Sequence, residues 1–186
     1  EYARRAAVEV LNEIGDAKSV KFLLEAIKDD DWWVRSRAGD ALGKIGGPKV
    51  MDAVLELARD KDDDIRRAAI EILNQTKDER AVNHLIEATK DKDWWVCERS
   101  VDALAEIGSN RAVPRLIEML QTTPARSLPV VVRAIGKLGE PKHVEALLPL
   151  LTRPEKELRL EAMQALVHIS DERRAGPEWV SERRAR

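Results

Sequence analysis

The side chains that carry most enzyme chemistry are scarce in this chain. Its 186 residues include three histidines, His84, His143 and His168, which lie far apart in the sequence. Cys97 is the only cysteine, so an internal disulfide and a multi-cysteine zinc site are both excluded. A Gly-rich phosphate loop and the paired-histidine motif of zinc proteases are also absent. We therefore predict no catalytic residue, no metal site and no cofactor, and we expect that the protein is not an enzyme.

Charged side chains are the second group that could bind a ligand, and they recur every 31 residues. The basic positions are Lys18, Lys49, Arg80, Arg111 and Lys142. The acidic positions are Glu25, Glu56, Glu87 and Glu118. With 32 basic and 34 acidic residues the net charge is −2, which argues against a partner held mainly by charge, such as duplex DNA or an anionic membrane. These columns are interpreted either as a solvated face with spaced ion pairs or as the border of a binding surface.

Two tryptophan pairs are the most unusual feature of the sequence. The pairs, 62 residues apart, are Trp32-Trp33 and Trp94-Trp95, with Asp63-Asp64 at the corresponding place between them. We interpret the second member of each pair as a packing residue at a helix start. The first member could serve packing or binding, because exposed tryptophans are common interface anchors.

The interval of 31 residues also governs the apolar positions, and it defines the elements that must hold these side chains. Three columns read at this interval are Leu11, Leu42, Leu73, Leu104, Ile135 and Leu166; Ile14, Ile45, Thr76, Ile107, Leu138 and Ile169; and Leu23, Val54, Leu85, Leu116 and Leu147. The interval holds along the chain without an insertion. Internal repeats of this length indicate a stack of similar supersecondary units.

Each repeat is predicted to form two helices. In the second repeat the first helix is expected from about Trp33 to Ile45, with apolar residues three or four positions apart. Gly46-Gly47-Pro48 should end it, since Gly favours the left-handed position after a helix and Pro favours the first turn of the next. The second helix is expected to end near Asp60-Lys61. Because a two-helix unit cannot bury its apolar face alone, neighbouring units must stack.

We predict an all-α fold, a curved, right-handed α-solenoid of about six helical hairpins with the last one incomplete. The expected units span residues 1–30, 31–61, 62–92, 93–123, 124–154 and 155–170. Residues 171–186 form a charged tail that we expect to be loosely ordered. Because the chain starts without Met and within a predicted helix, we interpret it as a piece of a longer protein. We expect no membrane contact, because no stretch is apolar enough to span a bilayer, and the cytoplasm is the expected compartment.

The repeat resembles the HEAT family, in particular the short bacterial type that is also found in phycobilin lyases. The matching phrases are Asp31-Trp32-Trp33-Val34-Arg35, Ala41-Leu42-Gly43-Lys44-Ile45-Gly46 and Ala103-Leu104-Ala105-Glu106-Ile107-Gly108. The resemblance implies a ladder in which an Asp at the end of one unit lies six residues before an Arg that opens the next. Asp29/Arg35 and Asp60/Arg66 fit this spacing, and charge-assisted hydrogen bonds are the expected link.

Two junctions depart from this pattern. Cys97 follows Asp91 in the Arg position, which we interpret as a lost ladder arginine, a reactive thiolate at a helix start being the alternative. At the next junction Thr122 and Leu128 replace both partners, and two nearby prolines should shorten or delay the following helix. We expect a structural irregularity there that could act as a hinge.

The predicted function is a protein-interaction scaffold or regulatory module that belongs to a larger protein, such as a signalling protein. The surface is expected on the concave face formed by the second helices, where the column of Phe22, Ala53, His84 and Arg115 is not constrained by packing. The other candidate residues are Glu56, Glu87, Arg80 and Arg111 on that face, and Trp32 and Trp94 as alternative anchors on the edge. The partner is another protein or another domain of the parent chain, and the oligomeric state is left open.

Two alternative functions follow from the resemblance. The first is a phycobilin lyase-like subunit. The second is a nucleic-acid-binding HEAT-like protein, although alternation of Glu with Lys and Arg on the second helices argues against nucleic acid.

Overall fold

The computed structural model describes residues 2–171 of the chain. Within this range it contains helices and no β-strand, which confirms the predicted all-α class. The α-helices are α1 (Tyr2–Ile14), α2 (Val20–Ala26), α3 (Trp32–Ile45), α4 (Gly47–Leu57), α5 (Asp63–Thr76), α6 (Val82–Ala88), α7 (Trp94–Ile107), α8 (Val113–Thr122), α9 (Leu128–Leu138), α10 (Val144–Leu147) and α11 (Lys156–Ser170). Apart from Asp171, the predicted charged tail lies outside the described residues.

An aspartate caps the N-terminus of each of α3, α5 and α7. The Oδ1 atoms of Asp31, Asp62 and Asp93 accept hydrogen bonds of 3.0, 2.8 and 3.0 Å from the backbone N–H two residues further on. Such caps satisfy backbone donors that have no partner within the helix. The caps recur at the repeat interval, so every first helix of this series starts in the same register.

A glycine column, Gly15, Gly46, Gly108 and Gly139, follows the first helices at the repeat interval. The first three have positive φ, as predicted for Gly46, whereas Gly139 after α9 has φ −72°. Gly46 has φ 58° and donates from its backbone N–H to the carbonyl of Leu42 at 2.9 Å. In the next repeat Lys77 replaces glycine and still adopts φ 50°. A residue with a Cβ pays roughly 1 kcal/mol for this conformation, so the turn geometry is retained at a small cost in stability.

The described residues divide into two compact units, with the boundary between Ile107 and Gly108. In the first unit α1, α3, α5 and α7 pack in sequence order, and α2, α4 and α6 each pack against the first helix of the next hairpin. The predicted columns form the core, since Leu42, Leu73 and Leu104 are fully buried on the first helices. Leu23 and Leu85 are fully buried on the second helices. The helical-repeat solenoid predicted from the sequence is therefore confirmed.

In the second unit α9 packs against both α8 and α11. The helices α9 and α11 approach closely at Gly136, where a Cβ would lie 2.8 Å from the Cα of Ala165. The predicted irregularity is present, because α9 starts only at Leu128 and has 11 residues, against 14 in α3. The boundary between the two compact units nevertheless falls between Ile107 and Gly108, within the predicted unit 93–123, and not within residues 122–128.

Candidate functional site

The Asp/Arg ladder is present, but its acceptors differ from those expected. Arg35 donates from Nη1 to the backbone carbonyl of Asp29 at 2.8 Å, and Arg66 donates in the same way to Asp60 at 2.9 Å. The carboxylate of Asp29 instead pairs with Arg4 of the same unit at 2.8 Å. Each of these ladder arginines therefore bonds the main chain of the turn before its own helix, and the carboxylate of Asp60 accepts the backbone N–H of Asp62 at 3.0 Å.

Arg66 is the most buried member of this ladder, with 7% of its surface exposed. It donates from Nε and Nη2 to the carboxylate of Asp91 at 2.8 and 3.0 Å, and from Nη2 to Asp63 at 2.7 Å. The hydrogen bonds to Asp91 are the main cause that raises the pKa of Arg66. Asp91 thus pairs with Arg66 of its own unit and not with position 97. The Sγ of Cys97 lies 3.1 Å from the carbonyl oxygen of Thr89.

Trp33 and Trp95 are half-buried at helix starts and lie beneath arginine side chains. The guanidinium carbons of Arg5 and Arg37 lie 5.7 and 5.9 Å from the centre of the Trp33 ring, and that of Arg99 lies 5.9 Å from Trp95. Glutamates of the preceding hairpins hold two of these arginines, in the pairs Arg37–Glu9 at 2.7 Å and Arg99–Glu71 at 2.9 Å. We call this arrangement the Trp/Arg clamp. It favours the packing interpretation of Trp33 and Trp95, because the Arg5–Trp33 contact and the two Arg–Glu pairs link successive hairpins.

The other members of the tryptophan pairs are exposed, Trp32 by 67% and Trp94 by 55%. Trp32 lines a groove of about 330 Å³ between α3 and α5, which we call the first-helix groove. Asp64 and Arg35 also line it, and they form an ion pair of 3.0 Å. The edge position predicted for Trp32 therefore adjoins a concavity that could receive a side chain of a partner.

A larger concavity lies between α2 and α4, and we call it the second-helix groove. Its volume is about 660 Å³. It is lined by Ala17, Lys18, Val20, Lys21, Leu24, Glu25, Lys28, Lys49, Ala53, Glu56 and Leu57. The predicted residues Ala53 and Glu56 are among them, so this groove gathers part of the predicted surface around an apolar floor.

The lysines of the second-helix groove have no ion pair with any residue that the structure describes. These are Lys18, Lys21, Lys28 and Lys49, and all four are exposed. Some lysines elsewhere in the same unit are paired, such as Lys77 with Glu106 at 3.1 Å and Lys90 with Glu87 at 3.1 Å, whereas Lys61 has no ion pair among the described residues. The groove rim is thus a local concentration of positive charge that the described part of the fold does not use.

The remaining residues predicted for the concave face are not all gathered at this groove. Phe22 is 57% exposed and lines a separate groove of about 660 Å³ beside α1, together with Val10. Arg80 pairs with Asp78 at 2.7 Å. The Nδ1 of His84 is buried and has no hydrogen-bond partner among the described residues.

Two predicted residues belong to the second unit. Arg115 lies on α8 and pairs with Glu118 at 2.9 Å, and only 14% of its side chain is exposed. Arg111 lies in the turn before α8 and is exposed. Arg115 is therefore engaged within its own helix, and of these two side chains Arg111 is the more accessible.

Sequence reasoning missed Lys21, Leu24 and Leu57 as lining residues of the second-helix groove. A signal was available, because Lys18, Lys21, Glu25 and Lys28 follow one another at intervals of three, four and three residues. Such intervals place side chains on one face of a helix. Comparing single columns between repeats conceals this pattern, since it runs along one helix.

The three histidines do not form a common site. His143 accepts a hydrogen bond at Nδ1 from the backbone N–H of Glu140 at 2.9 Å, within a turn of the second unit. Over residues 2–171, no three His, Cys, Asp or Glu side chains are placed to share a metal ion. No helix in this range is both long and apolar enough to cross a bilayer.

A family model described as HEAT repeats matches residues 1–74 and 53–128, which together cover more than half of the sequence. The chain belongs to the HEAT-repeat family. This confirms the resemblance seen in the repeat phrases. A search of curated proteins returns no match.

Solved structures support the HEAT fold. The complex of CpcE and CpcF of phycocyanin lyase from Nostoc sp. PCC7120 contains a chain that matches with TM-score 0.68 and 22% identity, over 81% of this chain and 65% of that chain. This HEAT chain thus spans slightly less than two thirds of that lyase chain. An engineered protein matches with TM-score 0.59 and 22% identity over 91% of this chain and 93% of that chain. A designed armadillo repeat protein in complex with the peptide (KR)4 matches with TM-score 0.57 and 16% identity over 88% of this chain and 92% of that chain.

Proposed function

We propose that this HEAT-repeat chain is a non-catalytic interaction scaffold that binds an extended segment of a protein in the second-helix groove. The partner is another protein or another domain of the same polypeptide. The observation that carries the proposal is the groove itself, in which half-buried Leu24, Ala53 and Leu57 form an apolar floor within a charged rim. An apolar centre with a polar rim is the usual anatomy of a protein-binding surface.

The known relatives are consistent with this function. Two lyase subunits form a complex in one matched structure, and the designed armadillo protein is bound to a peptide in another. Because these chains are at most 22% identical to this one, they support the fold and leave the partner to be argued from this chain's own residues.

The test uses the full chain and a partner recovered from cell extract by affinity capture. In Ala53→Glu a longer, charged side chain enters the groove, and we expect binding to fall by about tenfold or more, as for a central interface position. Val167→Glu is the matched control, because Val167 is 72% exposed on α11 in the second unit. Both variants must first show the melting temperature of the parent protein.

Trp32 and Trp94, the alternative anchors predicted on the edge, form the competing candidate for the binding site. If Trp32→Ala/Trp94→Ala abolishes capture of the same partner while Ala53→Glu binds normally, the site lies at the edge and the groove proposal is wrong. If neither variant changes binding, both surfaces are excluded.

The similarity to a phycocyanin lyase chain favours one second candidate, a lyase-like subunit. That candidate predicts a change in visible absorbance when the protein, alone or with a partner subunit, is mixed with a bilin. An unchanged spectrum in both mixtures would remove it and leave the scaffold function standing.

A further inference from the structure

The charges around the second-helix groove indicate the chemistry of its occupant. We infer that the groove binds a segment of a partner protein in which acidic and apolar residues alternate. The apolar side chains contact Leu24 and Leu57, and the carboxylates contact the lysines of the rim. This inference rests on the proposed function and deepens it by naming the class of partner.

The lysines that line the groove lack ion pairs within the described part of the chain. Lys18, Lys21, Lys28 and Lys49 have no carboxylate partner among the described residues, although Lys77, Lys90 and Lys92 of the same unit are paired. Lys18 and Lys49 belong to the basic column of the second helices, and Arg80 of the same column pairs with Asp78. Lys49 lacks the equivalent partner because Gly47 stands where Asp78 precedes Arg80. The rim therefore keeps its charge available for a ligand.

The net charge of the residues that line the groove is positive. Four lysines and two glutamates line the groove, which makes a balance of +2, whereas the whole chain carries −2. A positive groove in a negative protein steers a negative segment toward that groove and repels it from other surfaces. A basic peptide would face the same four lysines without compensation.

Two glutamates of the groove restrict where a bound segment can carry its carboxylates. Glu25 and Glu56 line the groove between the lysines and have no ion pair among the described residues. A uniformly acidic segment would be repelled at these two points. A segment whose carboxylates are separated by apolar residues meets the lysines and avoids the glutamates.

The lining also distinguishes a protein from a single-stranded nucleic acid. Proteins that bind single strands without sequence preference stack bases on aromatic side chains. The second-helix groove is lined by aliphatic and charged side chains and contains no Trp, Tyr or Phe among its described lining residues. Its floor therefore suits leucine-like side chains better than bases.

The experiment measures binding of fluorescent probes to the full chain by polarisation. Three short peptides of equal length carry leucine at alternate positions, with Glu, Lys or Gln between them, and an oligothymidine of similar charge to the Glu peptide is the fourth probe. We expect the Glu peptide to bind about tenfold more tightly than the Gln peptide, since two or three exposed ion pairs provide that difference. Added NaCl should weaken the Glu peptide selectively.

Charge-reversal variants test whether the lysines of the groove cause the preference for the Glu peptide. Lys18→Glu/Lys49→Glu should reduce binding of the Glu peptide at least tenfold and leave the Gln peptide unchanged. Lys61→Glu/Lys156→Glu is the matched control, because it makes the same charge change at two exposed lysines outside the groove. This control should bind the Glu peptide within about twofold of the parent protein, because neither lysine lines the groove and exposed charges outside a contact contribute little.

The outcomes separate this inference from the proposed function. If the Lys or Gln peptide binds as tightly as the Glu peptide and Ala53→Glu abolishes that binding, the groove binds proteins but the acidic partner is wrong. Equal binding of oligothymidine, or a Glu-peptide affinity that survives Lys18→Glu/Lys49→Glu, also overturns the inference. Failure of all three peptides to bind would remove both the acidic partner and the groove.

Discussion

Two kinds of junction alternate along the first unit. The α1–α3 and α5–α7 junctions contain a Trp/Arg clamp, with Trp33 and Trp95 beneath arginines. The α3–α5 junction has Asp64 in the tryptophan position and Ala68 in the position of the clamping arginine. The same helical repeat therefore stacks with an aromatic clamp in two places and without one in the third.

The difference explains the first-helix groove. Asp64 and Ala68 are smaller than the residues they replace, and a volume of about 330 Å³ is left open between α3 and α5. Asp64 compensates in part, because it pairs with the ladder residue Arg35 at 3.0 Å. The hairpins therefore stack through their apolar columns even where the clamp is missing, and its omission leaves a concavity.

The largest effect is expected from the ladder at a clamped junction. Arg66→Leu leaves the carboxylate of Asp91 in a largely buried place without its partner, and we expect the free energy of unfolding to fall by about 3 kcal/mol. Arg35→Leu is the matched variant at the open junction, where Asp64 is 52% exposed and the expected loss is about 1 kcal/mol. Urea unfolding of both variants measures the difference, and equal losses would show that the two junctions do not differ in this respect.

Loss of an aromatic ring should have the next largest effect. Trp33→Ala removes a half-buried ring and its contacts with Arg5 and Arg37, and a loss of about 2 kcal/mol is expected. Asp64→Ala at the open junction should change stability by less than about 1 kcal/mol, because its ion pair with Arg35 is exposed. Thermal unfolding compares them, and a smaller loss in Trp33→Ala than in Asp64→Ala would contradict the role assigned to the clamp.

Building a third clamp is a converse test with a smaller effect. Asp64→Trp/Ala68→Arg places the missing pair in the first-helix groove, and the protein should gain about 1 kcal/mol from aromatic burial and cation–π contact. Each single variant is a control, since neither supplies both halves of the clamp. A melting temperature below that of the parent protein would mean that the groove does not have the shape of a vacant clamp.

Lowering the pH should slightly reduce the stability that the Trp/Arg clamp at the α1–α3 junction provides. Hydrogen bonds from Arg37 lower the pKa of Glu9, and hydrogen bonds from Arg5 lower the pKa of Asp31. Because the folded pKa values lie below the unfolded ones, this stability is present above about pH 4 and is lost as the pH falls through the folded values. Glu9→Gln/Asp31→Asn should therefore flatten the acid limb of the stability curve, and an unchanged slope would show that other carboxylates cause it.

The helical repeat could be predicted because its evidence is local and repeated. Apolar residues such as Leu42 and Leu73 recur at one interval, and a glycine column marks where the first helices end. The shortened α9 was also predictable, since proline is tolerated only in the first turn of a helix and disfavours helical backbone in the residue before it. These features depend on backbone chemistry, which acts in the same way in every repeat.

The partners of the charged side chains could not be predicted in the same way. The spacing of Asp29 and Arg35 is correct, but the sequence does not reveal that the arginine bonds the main-chain carbonyl while the carboxylate pairs with Arg4. A long side chain can reach several acceptors, and packing between hairpins decides which one it meets. The second-helix groove was missed in part for the same reason, because Lys21 and Lys49 become neighbours of one concavity only after α2 and α4 are placed.

The glycines of this chain differ in how well they would tolerate substitution by a residue with a side chain. At Gly15 and Gly108 no atom lies within 4 Å of a would-be Cβ, and Lys77 demonstrates that a larger residue can occupy such a helix end. At position 136 an added methyl group would lie 2.8 Å from the main chain of α11, so every alternative residue displaces a whole helix. A substitution at Gly15 or Gly108 therefore strains only the local backbone, which has a positive φ there, whereas one at Gly139 would place its Cβ 2.5 Å from the carbonyl oxygen of Ile135 and one at position 136 disrupts the tight packing of α9 on α11.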